Sequence, residues 1–173
     1  QRMLVLFQFF VDLARLRRGP QDLPYSSVLL ALMALLSIMI GTINGRELFG
    51  GVQAALGANL VDLVLSLGLL WVLLKTKDKA ARWQQTATAF LGLGVLAGLI
   101  MLFVRTPADA FGVVQFAILI DLVVAVWLHV ALGNVLRHAL EIPLLAGVLI
   151  VLAYTVFAFN LIAQVFPPQV AAT

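Results

Sequence analysis

The sequence predicts an all-α membrane protein: five transmembrane helices preceded by an N-terminal amphipathic helix lying in the membrane interface. Three observations carry this: an apolar fraction of 63% against only 11% charged residues, five apolar stretches of spanning length, and basic residues gathered in alternate connections between them. A soluble domain is about 45–50% apolar and about 25% charged. A 173-residue chain with mean hydropathy +1.10 has too few charges to cover its apolar surface in water. The bilayer must serve as solvent for most of it. There is no cysteine, which excludes disulfide and thiolate chemistry. The pI near 9.8 does not point to nucleic acid, because the basic residues sit in short connections where membrane orientation accounts for them.

Residues 1–19 read as the cytoplasmic-side amphipathic helix. The stretch MLVLFQFFVDLARLRR (3–18) is too short and too charged to span. Gln8, Asp12 and Arg15 make one polar face, and Leu4, Phe7, Phe10, Leu13 and Ala14 cover much of the rest. Arg15, Arg17 and Arg18 are then placed near anionic headgroups; the alternative is packing against the bundle or a partner. These charges follow the apolar run and no cleavage pattern succeeds them, so the segment does not read as a secretory signal. Gly19-Pro20 is expected to stop the helix, and residues 20–25 form a linker.

Residues 26–173 hold the five-helix transmembrane domain. Its spans run over about 26–43, 51–74, 84–104, 110–136 and 142–166, each close to the roughly 20 residues that cross about 30 Å of hydrocarbon. The third is expected to end at Arg105-Thr-Pro, and Pro143 falls in the first turn of the last, where proline is tolerated. With the N-terminus inside, nine of the 11 Lys and Arg lie on the cytoplasmic side and only Arg46 and Arg105 opposite, so the expected orientation is N-in/C-out. Leu-Val-Asp-Leu-Val at 60–64 matches Leu-Ile-Asp-Leu-Val at 119–123 in four of five positions, and each run leads to a tryptophan, Trp71 or Trp127. A duplicated hairpin would explain this; so would chance in a chain this rich in Leu, Val and Ile.

Function, if visible, lies with the polar residues inside the spans. Asp62 lies 13 positions before Lys75 and Asp121 16 before Arg137, which puts both near mid-membrane at similar depth. An aspartate there costs at least about 2.5–3.5 kcal/mol, so each needs protein, water or a partner beside it. Ala55, Ala58, Asn59, Asp62 and Ser66 share one small, polar helix face. No Lys or Arg is expected at hydrocarbon depth, so the two acids would share a proton or each bind one. Three roles stay open: packing bonds to neighbouring helices, contact with a partner's helices, or a proton or cation site in a small transporter. His129, two turns from Asp121, reads as a hydrogen-bonded helix histidine rather than a ligand. Two histidines and no cysteine leave little for a metal.

Gly92, Gly94 and Gly98 only superficially match a dinucleotide fingerprint, since the spacing is wrong and no strand precedes them. Gly94-xxx-Gly98 and Ser37-xxx-Gly41-xxx-Gly45 read better as close helix–helix contacts. No phosphate-binding loop, nucleophile elbow or zinc-protease motif occurs, so the expectation is a non-enzyme without cofactor. The segments FFVDLARLRRGPQDLP and VWLHVALGNVLRHALEIP, set in this layout, resemble the Yip1-type five-span proteins, and more closely small proteobacterial inner-membrane proteins of that layout. The Asp-Leu-Tyr-Gly-Pro signature of the eukaryotic branch is missing, so its trafficking role is not implied. The resemblance implies a multi-pass bacterial inner-membrane helper, and it transfers no functional residue. The leading expectation is an accessory or scaffold protein whose partners are the bilayer and another integral membrane protein or a second copy. A proton-coupled transporter or lipid-handling protein using Asp62 and Asp121 is the alternative, and a membrane-shaping or lipid-sensing role for residues 3–18 is the third.

Overall fold

A computed structural model describes residues 2–169, with side chains there apart from those of residues 2–7, Asp109 and Val114. Helix accounts for 82% of the structure, and no strand occurs among the described residues. In chain order the helices are α1 (Arg2–Ala14), α2 (Ser27–Gly45), α3 (Val52–Thr76), α4 (Trp83–Ile100), α5 (Thr106–Ala110), α6 (Val114–Leu140) and α7 (Leu144–Val165). One π turn, Met101–Arg105, makes α4 and α5 continuous. Five of these segments are long and apolar enough to cross a membrane, at 19, 25, 29, 26 and 22 residues. They match the five expected spans.

The spans close into a ring: α2 packs on α3, α3 on α7, α7 on α6, α6 on α4, and α4 back on α2. Half of the apolar window of α4 is buried, against 17–28% for the others, because α1 and the linker cover its outer side. Glycines allow the closest approaches. A Cβ on Gly98 would meet Ile40, one on Gly41 would meet the Asn59 side chain, and Gly147 lies against the backbone of Gly133 where α6 meets α7. Asn44 ties α2 to α4 by donating Nδ2 to Gly98 O at 2.9 Å. The expected contact at Gly94 does not occur: nothing lies within 4 Å of where its Cβ would be.

The amphipathic reading of the first segment changes most. Helix α1 forms, but Phe9, Phe10 and Leu13 are buried in the bundle rather than turned to a bilayer. Phe10 seats its ring over Gly92 of α4, and Trp127 of α6 donates Nε1 to Ala14 O at 3.0 Å, satisfying a carbonyl that the helix end leaves open. Arg15, Arg17 and Arg18 remain exposed; Arg18 pairs with Asp12 at 3.3 Å and lies over the Phe9 ring. Helix α1 also stops before Gly19-Pro20. Leu16 takes a left-handed φ of 62°, and the Arg17 N–H returns to Asp12 O at 2.9 Å, a closure glycine usually provides.

The same closure ends α3 at Asp78 (φ 56°) and α6 at Glu141 (φ 58°), all at the end of the bundle that carries most of the basic residues. Helix α6 therefore runs four residues past its expected end and takes in Arg137 and His138. The third span also overruns Arg105-Thr-Pro. The wide π turn displaces the preceding carbonyls, so Pro107, which has no N–H and needs ring space, is accommodated as α5 continues. The hairpins that the repeat would equate are packed differently: α6 and α7 meet backbone to backbone, whereas α4 lies chiefly against α2 and α6. Trp71 is exposed beneath Lys75, while Trp127 reaches α1.

Candidate functional site

The polar face expected on α3 turns into the ring. Ala55, Ala58 and Ser66 are buried, with Asn59 and Asp62 partly so on the same side. Asn59 donates Nδ2 to Ala55 O at 2.8 Å and Ser66 donates its hydroxyl to Leu63 O at 3.0 Å, so both satisfy themselves on their own helix. Asp62 does not. Its partner is Tyr154 of α7, whose phenol donates to Asp62 Oδ1 at 2.6 Å and lies 3.1 Å from Asp62 O. Ser66, one turn along α3, stands beside the same phenol.

This pair opens on a cavity of about 330 Å3 that every spanning helix helps to line: Ser37 from α2, Asn59 and Asp62 from α3, Gly94 from α4, Leu128 from α6 and Tyr154 from α7. Phe49, in the α2–α3 connection, borders it as well. Ala58, Gly94 and Ala158 line it with little or no side chain, which leaves the space open. That explains why Gly94 touches nothing. Ser66 and Thr155 add two hydroxyls, the remaining walls are Phe, Leu, Val and Ile, and Asp62 is the single carboxylate among them. An apolar chamber of this size with a few convergent polar groups has the form of a small-molecule site, and those range over about 300–1,000 Å3.

His129 donates Nδ1 to Ala125 O at 2.8 Å, and its Nε2 is 3.1 Å from the hydroxyl of Thr155, another cavity residue. Among the described residues no three His, Asp or Glu converge as a metal site would need.

Asp121 belongs to a different place. Its carboxylate lies 3.4 Å from Arg105 Nε, with the two side chains 45% and 34% exposed, on the open side of α6. The expectation of a proton shared between Asp62 and Asp121 is therefore wrong: each acid has its own partner on its own pair of helices. The expectation that no Lys or Arg would neutralise either acid fails at Asp121, because the π turn keeps Arg105 inside the helix that was expected to end there. Asp62 is ten residues from the start of α3 and Asp121 seven from the start of α6.

Tyr154 and Thr155 are the site residues that sequence reasoning passed over. The available signal was a phenol in the middle of an apolar span, since a buried Tyr O–H usually finds a partner, and Asp62 was in want of one. Comparison of the chain with known protein families, with curated proteins and with solved structures finds no match.

Proposed function

We propose that this multi-pass membrane protein binds a small amphipathic molecule in the ring cavity and couples its passage to a proton on Asp62. The class is a proton-coupled small transporter or lipid-handling protein. The observation that supports the reading is the Asp62–Tyr154 pair facing a chamber bordered by all five spans. A packing bond alone needs no such space, and close-packed interiors leave few voids larger than a water molecule. The apolar walls would hold the body of the ligand, and its amine or hydroxyl end would replace Tyr154 or exchange a proton at Asp62. Reciprocal competition for one carboxylate is the simplest form of coupling.

The test is a thermal-shift screen of the purified protein against amphipathic amines, alcohols and neutral lipids, followed by uptake of any hit into proteoliposomes under an imposed pH gradient. Wild type should be stabilised by at least one class. Asp62→Asn should lose the shift and the pH-driven uptake while unfolding at a similar temperature without ligand, and Tyr154→Phe should weaken both. A wild type that no compound stabilises, or an Asp62→Asn protein that keeps shift and uptake, ends the proposal.

A second reading, an accessory protein packed against another membrane protein, is favoured by the half-exposed Arg105–Asp121 pair. It lies beside an apolar groove that includes Val104, Phe116, Ile120 and Trp127. Polar groups on an open helix side are costly against lipid tails and would be covered by a partner. Purification in gentle detergent should then yield a stoichiometric partner, and a clean monomer or homo-oligomer would reject it.

A further inference from the structure

At the basic end of the bundle, three segments far apart in sequence meet. They are the linker at Gln21, the α3–α4 connection with Lys79 and Arg82, and the α6–α7 turn with Arg137, His138 and Glu141. Glu141 holds the assembly together. From its left-handed position it accepts from Lys79 Nζ at 2.6 Å and Arg82 Nη1 at 2.9 Å. That Nη1 also lies 3.5 Å from Ala139 O, so one corner of the guanidinium is fixed while its other N–H donors have no protein acceptor among the described residues. Gln85 secures the linker by donating Nε2 to Leu23 O at 2.5 Å.

The result is a pocket of about 490 Å3 lined by Gln21, Arg82, Arg137, His138, Glu141 and Ile142. Its charge is unbalanced. Lys79 and Arg82 share the single Glu141 carboxylate, and Arg137, exposed at its rim, has no ionic or hydrogen-bond partner among the described residues. His138 commits Nδ1 to Asn134 O at 2.8 Å, leaving its second ring nitrogen for another contact. Donors arranged this way suit a phosphate, which takes paired N–H groups from arginine. The location narrows the source. The pocket sits where α6 ends and α7 begins, at the ends of apolar spans, and from that turn Leu145, Leu149 and Leu152 run down α7 as an exposed apolar stripe.

We propose that this pocket binds the phosphate headgroup of an anionic glycerophospholipid, with its acyl chains along the Leu145–Leu149–Leu152 stripe. Basic pockets between helix ends are a known physical form of headgroup recognition. The site is independent of the Asp62 cavity and stands whether or not that cavity transports anything.

Native mass spectrometry of the protein released from phosphatidylcholine nanodiscs, with and without admixed phosphatidylglycerol, tests it. Wild type should retain phosphatidylglycerol over phosphatidylcholine by at least about tenfold, the low end of what one hydrogen bond to a charged group contributes. Arg137→Gln should lose that preference and Arg137→Lys keep most of it. Lys77→Gln removes the same charge at the same end but outside the pocket, and should change nothing. Absence of a preference overturns the proposal, as does equal loss in Lys77→Gln and Arg137→Gln, which would mean diffuse attraction. Inorganic phosphate is the control arm in phosphatidylcholine discs. A thermal shift by phosphate that depends on Arg137, without any phosphatidylglycerol preference, would assign the pocket to a soluble anion and also overturn the lipid.

Discussion

Replacing Gly147 by alanine would set a Cβ onto the carbonyl oxygen of Gly133, with the carbonyl carbon and Cα of Gly133 at 3.1 and 3.3 Å. The reverse change is no easier, because a Cβ on Gly133 meets Val148 N at 2.7 Å and Val148 Cγ2 at 2.6 Å. These neighbours are chiefly backbone, so no rotamer change relieves the overlap and α6 and α7 must part. A gap of roughly 1 Å forfeits about half of each contact's dispersion energy along the seam. Overpacking in a filled core costs about 1–3 kcal/mol, and an unyielding backbone argues for the upper half of that range. At about 2–4 °C per kcal/mol for a chain of this size, Gly147→Ala should unfold roughly 5–10 °C below wild type. Gly68→Ala and Gly94→Ala, whose Cβ positions meet nothing within 4 Å, should be neutral or gain up to about 1 kcal/mol from helix propensity. Thermal unfolding in mild detergent, followed by the fluorescence of the three tryptophans, measures all of these. A Gly147→Ala protein as stable as wild type, or less damaged than Gly94→Ala, would refute the close α6–α7 contact.

The Arg105–Asp121 pair predicts non-additivity: Arg105→Gln and Asp121→Asn should each lower the unfolding temperature, and the double variant should fall short of their sum by roughly 1 kcal/mol, since it strands no charge; strict additivity would dissolve the pair. Lys79 and Arg82 hold the Glu141 carboxyl below the ordinary glutamate value of 4.5. A depressed folded-state value means the stabilisation is complete above 4.5 and is lost as pH falls below it. The stability difference between wild type and Glu141→Gln should therefore be constant at neutral pH and shrink under acid, and a difference that grows under acid would contradict the contact.

The five spans were legible because hydropathy and length are properties of each segment alone. What the sequence concealed depends on neighbours. Periodicity marks Phe10 and Leu13 as one apolar face, but lipid and the Gly92 surface of α4 are equally apolar and leave the same pattern. Helix ends at Leu16 and Glu141 went unseen because non-glycine residues adopt the left-handed closure, which composition cannot flag. Proline at 107 signalled an end to the third span, and the π turn before it removed the reason for one. That single irregularity brought Arg105 to Asp121 and separated the fates of the two aspartates. Asp62 was found by its cost in hydrocarbon. Tyr154 was not, because a phenol is cheap enough in an apolar span to escape a search for charge.

The docking of α1 has a consequence for how the chain is made. Its partner Trp127 follows Ala14 by 113 residues, and Gly92 also comes far later. At about 5–20 residues per second of synthesis, roughly 4–16 s separate Phe10 from Gly92 and roughly 6–23 s separate Ala14 from Trp127. Until α4 is made, Phe10 lacks the surface it lies on in the finished fold. The docking of α1 is therefore a property of the finished bundle, complete only once α6 has been made.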